Sequence, residues 1–422
     1  MLVFADLHIH SKYSKATSKN MDIEHISLGA KYKGLNLVGT GDFTHKLWLK
    51  ELKAKLEEAG EGIYKSKQGI FFILTTEVSN VYEKNGKIRK IHNIILAKDF
   101  DAAEQVNEIL SKYGNLEKDG RPSLNLDCAE MVELLKNNVK DVEIIPAHIW
   151  TPWFSLFGSR SGFDSIYECF EDQTKNIFAL ETGLSSDPEM NWRLSELDKF
   201  ALVSFSDSHS PHPWRLGREA CVFKLKDLSF DSVIKAIKSK DPKKFLYTIE
   251  VDPSYGKYHW DGHRNCGVAL PPKEAEKLGN ICPVCKKPLT IGVLHRVEKL
   301  ADREEGYVPK NAIPFKRLLP LYEVISYSLG EGKLYSKKVE EIEKKLILHF
   351  GNEFKVLLEV QKEEILKVVK NEKIANAILL NREGKVKVIP GYDGVYGKPV
   401  FENVEIKPQI PKTGQKGLVE FC

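Results

Sequence analysis

The sequence predicts an α/β fold for roughly residues 1–250, a βα barrel or open sheet, followed by a small cysteine-bearing module and a mainly helical C-terminal region. Three observations carry this. Short apolar runs rich in Val, Ile, Leu and Phe alternate with amphipathic stretches, as buried strands alternate with covering helices. Near residue 250 the texture becomes polar and turn-rich. From about residue 306 to 380 the apolar spacing turns helical.

In chain order, the runs expected as strands are LVFA (2–5), LNLVG (35–39), IFFILTT (70–76), IHNIILA (91–97), VEIIPA (142–147), IFALET (177–182) and ALVSFS (201–206). Helical patterns lie between several of them, at IEHISLGAKYKG (23–34) and CAEMVELLKNN (128–138), and after them at DSVIKAIKSK (231–240). Seven strands with interposed helices fit a layered α/β architecture. Later, SKKVEEIEKKLILHF (336–350) and KEEILKVVKNEKIANAIL (362–379) read as helices. The expected domains are 1–250, 251–305 and 306–400, with a tail over 401–422.

At 422 residues, 42% hydrophobic and 29% charged, the chain can bury a sizeable core, which excludes a mainly disordered protein. No apolar run reaches the length of a membrane span, and the N-terminus lacks the pattern of a signal peptide, so a cytoplasmic location is expected. The net charge of +4 proves no polyanion partner by itself. Only six Gln stand among many Lys, Glu and Ile, a bias that fits a hyperthermophilic, archaeal origin.

The candidate ligands gather where strands are expected to end. Asp6, His8 and His10 follow LVFA, Asp42 and His45 follow LNLVG, and Glu77 follows IFFILTT. His148 follows IIPA, and Asp207 and His209 follow ALVSFS; His92 alone falls at a strand start. The C-terminal strand ends of a parallel barrel share one rim, so these residues should converge. Imidazoles and carboxylates without thiolates suit Zn, Mn or Fe, and bridging carboxylates would hold two or three cations together. Such a cluster activates water and clamps phosphate oxygens. Any one of these histidines reads more plainly as a hydrogen-bonded loop residue; the joint set does not.

Asp6-Leu7-His8-Ile9-His10, Glu77, His92, His148 and Ser206-Asp207-Ser208-His209 together resemble the motifs of the polymerase and histidinol phosphatase (PHP) superfamily. The resemblance covers roughly residues 1–245 and implies a distorted (β/α)7 barrel with a multinuclear centre of two or three divalent cations (Zn2+, Mg2+ or Mn2+) that hydrolyses phosphoesters. It implies a first cation on His8, His10, Glu77 and Asp207, and a second on Glu77, His92 and His148. A third would take Asp42 or His45, with His209. His8, Glu77 and Asp207 would be the catalytic core. Gly41-Asp42-Phe43-Thr44-His45 departs from the family pattern, in which His directly follows Asp, so the choice between Asp42 and His45 stays open. Glu181, in ALETGLSSD, could ligate or orient a ligand.

Seven cysteines, unevenly spaced, do not make a disulfide framework. Cys128, Cys169 and Cys221 read as small buried residues. Cys282-Pro283-Val284-Cys285 is a different case, a knuckle with His263 and Cys266 upstream. Two short-spaced pairs can close a tetrahedral site, which gives a structural Zn2+ on His263, Cys266, Cys282 and Cys285. His259 and His295 are rival fourth ligands, and a redox CxxC is the competing reading. Residues 252–317 carry twelve Lys or Arg against eight Asp or Glu, so Lys286, Arg296 and their neighbours could contact phosphates.

The PHP motifs followed by CPVCKKPLTIGVLHRVEKLADR and GYDGVYGKP resemble, over nearly the whole chain, the endonuclease Q family. That resemblance implies a DNA repair endonuclease that cuts 5′ to deaminated bases (deoxyuridine, deoxyinosine) and abasic sites, leaving 3′-OH and 5′-phosphate ends. Extruding a base needs a stacking pocket, and Trp150, Trp153, Phe154 and Trp214 follow the ligand histidines closely. In the tail, Gln415, Leu418 and Phe421 resemble a box that binds the sliding clamp PCNA. Two other classes stand beside this reading: a phosphomonoesterase of small metabolites, against which the extra ~170 residues argue, and a non-catalytic DNA-binding scaffold, against which the ligand set argues.

Overall fold

A computed structural model describes residues 1–332, 335–401 and 404–411. The clamp-box residues Gln415, Leu418 and Phe421 lie outside the described residues. Each apolar run of the N-terminal half lies in a strand: Leu2–Asp6, Leu37–Gly39, Phe71–Lys84, Lys87–Ala97, Val142–Pro146, Ala179–Glu181 and Ala201–Val203. Ala220–Lys224 and Phe245–Glu250 extend the sheet beyond the seven expected strands. The helices Ile23–Lys33, Cys128–Asn138 and Phe230–Ser239 start at Asp22, Asp127 and Ser229, whose side chains accept a hydrogen bond from the first turn.

The sheet runs Phe245–Glu250, Ala220–Lys224, Leu2–Asp6, Leu37–Gly39, Phe71–Lys84, Lys87–Ala97, Val142–Pro146. The parallel pair Ala179–Glu181 and Ala201–Val203 fills the remaining arc, and the Ser204 hydroxyl donates to Ile249 O at 2.8 Å to close it. The result is a mixed α/β barrel, not an all-parallel one. Phe71–Lys84 and Lys87–Ala97 form one long antiparallel hairpin. Its turn, Asn85-Gly86, has positive φ at both residues (56° and 68°), the geometry that matches the twist of a two-residue hairpin. Glu77 and His92 therefore lie within strands rather than at a strand end and a strand start as expected.

The cysteine module packs a small core of Val268, Leu270, Ala275, Cys282 and Leu289 beside the short strands Asp261–His263 and Val268–Leu270. Beyond it, Leu321–Ser328, Lys337–Phe350, Glu353–Leu358, Lys362–Val369 and Glu372–Arg382 form the helical region. The pattern at 362–379 is two helices, broken where Lys370 turns left-handed (φ 50°) and Asn371 caps the second. No helix among the described residues is long and apolar enough to cross a membrane.

A buried ion pair joins the helical region to the barrel. Lys33 Nζ lies 2.7 Å from Glu353 Oε1, which also accepts from the Leu321 amide at 2.9 Å. Burial, reinforced by Glu353, pushes the nearby Glu343 carboxyl up to about 8. A carboxyl held protonated in the fold but free to ionise in the unfolded chain stabilises the fold fully below its unfolded pKa. That contribution is lost as pH rises through about 8. Glu343→Gln should flatten this slope, and urea unfolding at pH 4 and 9 should show the variant gaining on the parent as pH rises between the two.

Candidate metal centre

The first and last motifs are held side by side. The buried Asp6 carboxylate accepts from the Ser206 amide at 3.0 Å and the Gly217 amide at 2.9 Å, and His10 N donates to Ser208 O at 2.9 Å. The HxH segment thus lies against Asp207, which sits at a left-handed φ of 47°. His8 Nδ1 faces Glu181 at 2.9 and 3.1 Å. This aims Nε2 inward, 3.6 Å from Glu77 Oε2 and 3.7 Å from Asp207 Oδ1, where it is buried with no hydrogen-bond partner. His10 Nε2 lies 3.1 Å from both of those oxygens.

Glu77 joins this group to a second. Its other oxygen, Oε1, is 2.7 Å from His92 Nδ1 and 3.0 Å from His148 Nε2. His148 is placed by its own amide, which donates to Glu181 Oε2 at 2.6 Å. His8, His10, Glu77 and Asp207 each present one ligand atom within 4.8 Å of the others, as do Glu77, His92 and His148. The six residues named as ligands of the first two cations are therefore brought together.

Burial alone would raise the Glu77 carboxyl, but His92, Arg121 and His8 outweigh it and hold the group well below the usual carboxylate range. Asp207 is held low in the same way, chiefly by His10 and His8. The donors fit divalent cations: imidazole nitrogens aimed at ionised carboxylates, one nitrogen orphaned, and one carboxylate with an oxygen for each group. Glu181 orients His8 as carboxylates outside a ligand set commonly do.

The third group is not assembled. Asp42 spends Oδ1 on His10 Nδ1 at 3.0 Å and Oδ2 on the Ser11 amide, the Ser11 hydroxyl and the Ser14 hydroxyl at 2.6, 2.7 and 2.9 Å. It orients His10 through this contact. His45 stacks on Tyr13 at 4.4 Å, and His209 turns Nδ1 to Asp207 O at 3.0 Å. Neither joins a ligand group among the described residues. Asp42→Asn should weaken cation binding about 10–100-fold with the fold intact, which competition against a metal buffer will measure.

The residues expected to contact DNA differ in exposure. Trp150 is buried, with Nε1 donating to Asn191 Oδ1 at 2.8 Å. Trp214 is buried between His212 and Tyr322. Arg296 is buried, its guanidinium donating to Phe157 O and Phe163 O at 2.9 Å each and pairing with Asp164. Packing takes these side chains inward. Trp153 remains 41% exposed, edge-on to Tyr258, and Phe154 packs on His92 at 4.8 Å. Lys286 is exposed.

One residue beside the cluster has no signal in any motif. Arg121 Nη1 donates to Glu77 Oε2 at 3.1 Å, an approach made in space by a segment 44 residues away in sequence. The turn signal Asp119-Gly120 next to it is legible, but not its destination.

His263, Cys266, Cys282 and Cys285 also bring one ligand atom each within 4.8 Å of one another. His263 Nδ1 is 3.6 Å from Cys285 Sγ. Of the rivals, His295 is turned to Asp261 Oδ2 at 2.6 Å, and His259 is buried outside this group. The donor set fits a closed N/S site.

A mixed barrel with HxH, a shared glutamate, two histidines and DxH at one mouth defines a PHP-type barrel, here carrying a cysteine module and a helical region. Endonuclease PfuEndoQ from Pyrococcus furiosus, a lesion-specific endonuclease, superposes with a TM-score of 0.85 at 36% identity, over 94% of this chain and 95% of that one. An endonuclease Q complexed with a 27-mer duplex bearing an abasic lesion at the active site matches with the same TM-score and identity, over 96% and 97%. The chain belongs to the endonuclease Q family. Residues 320–385 match the family described as the MJ0043 C-terminal domain. Protein MJ0043 of Methanocaldococcus jannaschii is 36% identical over 265 residues, 62% of this chain, and the chain spans about a third of that relative (32%). YqxK of Bacillus subtilis is 28% identical over 94% of this chain and 98% of its own length.

Proposed function

We propose that this chain is a DNA repair endonuclease that hydrolyses the phosphodiester 5′ to deaminated bases (deoxyuridine, deoxyinosine) and abasic sites, leaving 3′-OH and 5′-phosphate ends. The observation that carries the reading is Glu77, whose two oxygens each face a separate group of ligands. A pair of divalent cations there supplies Lewis acidity and a nucleophile at neutral pH. His8 and His10, locked by Glu181 and Asp42, hold their inward nitrogens in place, and Asp207 completes the first group. The cysteine group holds a structural Zn2+ that orders its module. The exposed ring of Trp153 and that of Phe154, beside His92, stack against the gap or the base at the lesion, and Lys286 meets a phosphate. The tail box of Gln415, Leu418 and Phe421 serves the sliding clamp PCNA, and the protein works at the nucleoid.

The test is strand cutting of labelled duplexes carrying one deoxyuridine, deoxyinosine or abasic site by metal-loaded protein. Cutting of the damaged strand alone, lost in His8→Ala and Asp207→Ala, is the expected result. Hydrolysis of small phosphomonoesters without nicking, or binding without turnover, would replace this reading by one of its rivals.

A further inference from the structure

Arg121 is held at the mouth of the cluster by contacts on both sides. The Gly120 amide donates to Tyr13 O at 3.1 Å, and the Thr44 hydroxyl donates to Gly120 O at 3.3 Å. A Cβ on Gly120 would stand 2.3 Å from Asp42 Oδ2 and 2.4 Å from Ser14 Oγ, so only glycine lets the segment lie against the Asp42 network. On the other side Pro122 O accepts from the Ser79 amide at 2.9 Å, two residues beyond Glu77. Between these anchors the guanidinium meets Glu77 at 3.1 Å while its side chain stays 29% exposed. Arg121 is the one Lys or Arg paired with Glu77 or Asp207 among the described residues.

Asp42 already meets four hydrogen-bond partners, three of them on Oδ2, and it joins no ligand group among the described residues. Beside it, Arg121 brings a fixed positive charge to the mouth of the cluster. We propose that Arg121 is a catalytic residue that takes the place of a third cation and hydrogen-bonds a non-bridging oxygen of the scissile phosphodiester. A guanidinium has five N–H donors in a planar fork, so one on Glu77 leaves others for the phosphoryl oxygens. In the hydrolysis a bond forms from water oxygen to phosphorus and the bond from phosphorus to O3′ breaks. One water proton ends on O3′, and negative charge grows on the oxygens that Arg121 faces. A fixed donor aimed at that charge needs no reorganisation. The inference rests on the phosphodiesterase reading above.

Arg121→Ala and Arg121→Lys are compared with the parent as metal-loaded full-length proteins. Three quantities are read: barrel metal by elemental analysis, affinity for inorganic phosphate, and single-turnover cutting of an abasic duplex alongside turnover of bis(p-nitrophenyl) phosphate. The alanine variant should keep its metal, bind phosphate about tenfold more weakly and turn over both diesters about 10²–10³-fold more slowly. Lysine should recover part of the loss, and millimolar guanidinium should speed the alanine variant but not the parent. Parent-like phosphate binding and turnover in the alanine variant overturns the proposal. So does loss of barrel metal in step with rate, which marks a positioning role. If the parent turns over the small diester and not the duplex, the DNA reading fails while the Arg121 comparison still decides. If it turns over neither, phosphate affinity decides.

Discussion

Glu77→Gln should strip at least one of two cations from the barrel and lower strand cutting by at least about 10³-fold, more than the 10–100-fold typical of a partner outside a ligand set. The carboxylate meets His8 and His10 through Oε2 and His92 and His148 through Oε1. A carboxamide keeps the size but replaces one acceptor oxygen with an NH2 donor. Whichever way the amide turns, one ligand group meets N–H bonds instead of a lone pair. Elemental analysis of the purified variant, with single-turnover cutting of an abasic duplex, checks this. A variant that retained two barrel cations would show that Glu77 is not shared.

Cys282→Ser should cost one cation equivalent and unfold the cysteine module while the barrel keeps its metal. Cys282 is fully buried in a core of only five residues, too small to stand alone. Metal binding in such a module is folding free energy, so a local loss on the order of 5 kcal/mol or more is expected. Hydrogen exchange should rise across 258–292 and stay low in the strands around His8 and Glu77. Weaker duplex binding should accompany it, because Lys286 and Lys287 sit on the same knuckle. If the barrel cations left instead, the cysteine group would not be an independent site.

Much of the centre is legible in the order of residues. Strand runs and helix caps are local properties, set by apolar periodicity and by side chains that reach their own first turn. That is why Cys128–Asn138 begins and ends where its pattern does. The spacing of His8 and His10, and of Asp207 and His209, also shows which residue types meet. The expectation of parallel strands misplaces two ligands. The Asn85-Gly86 turn makes a hairpin that moves Glu77 and His92 into strand interiors. Proximity along the chain does not reveal that Trp150, Trp214 and Arg296 are buried, because a side chain's direction is settled by what packs over it.

Local spacing specifies the order of elements and the paired cysteines, and the resemblance to the PHP motifs picks out the six residues that gather into the two barrel groups. Long-range packing alone settles that Asp42 serves His10, that Glu77 offers an oxygen to each of two groups, and that Arg121 stands over it. These are contacts between segments tens to hundreds of residues apart. Nothing in a linear pattern says which lone pair a buried carboxylate keeps free once every donor around it has been satisfied.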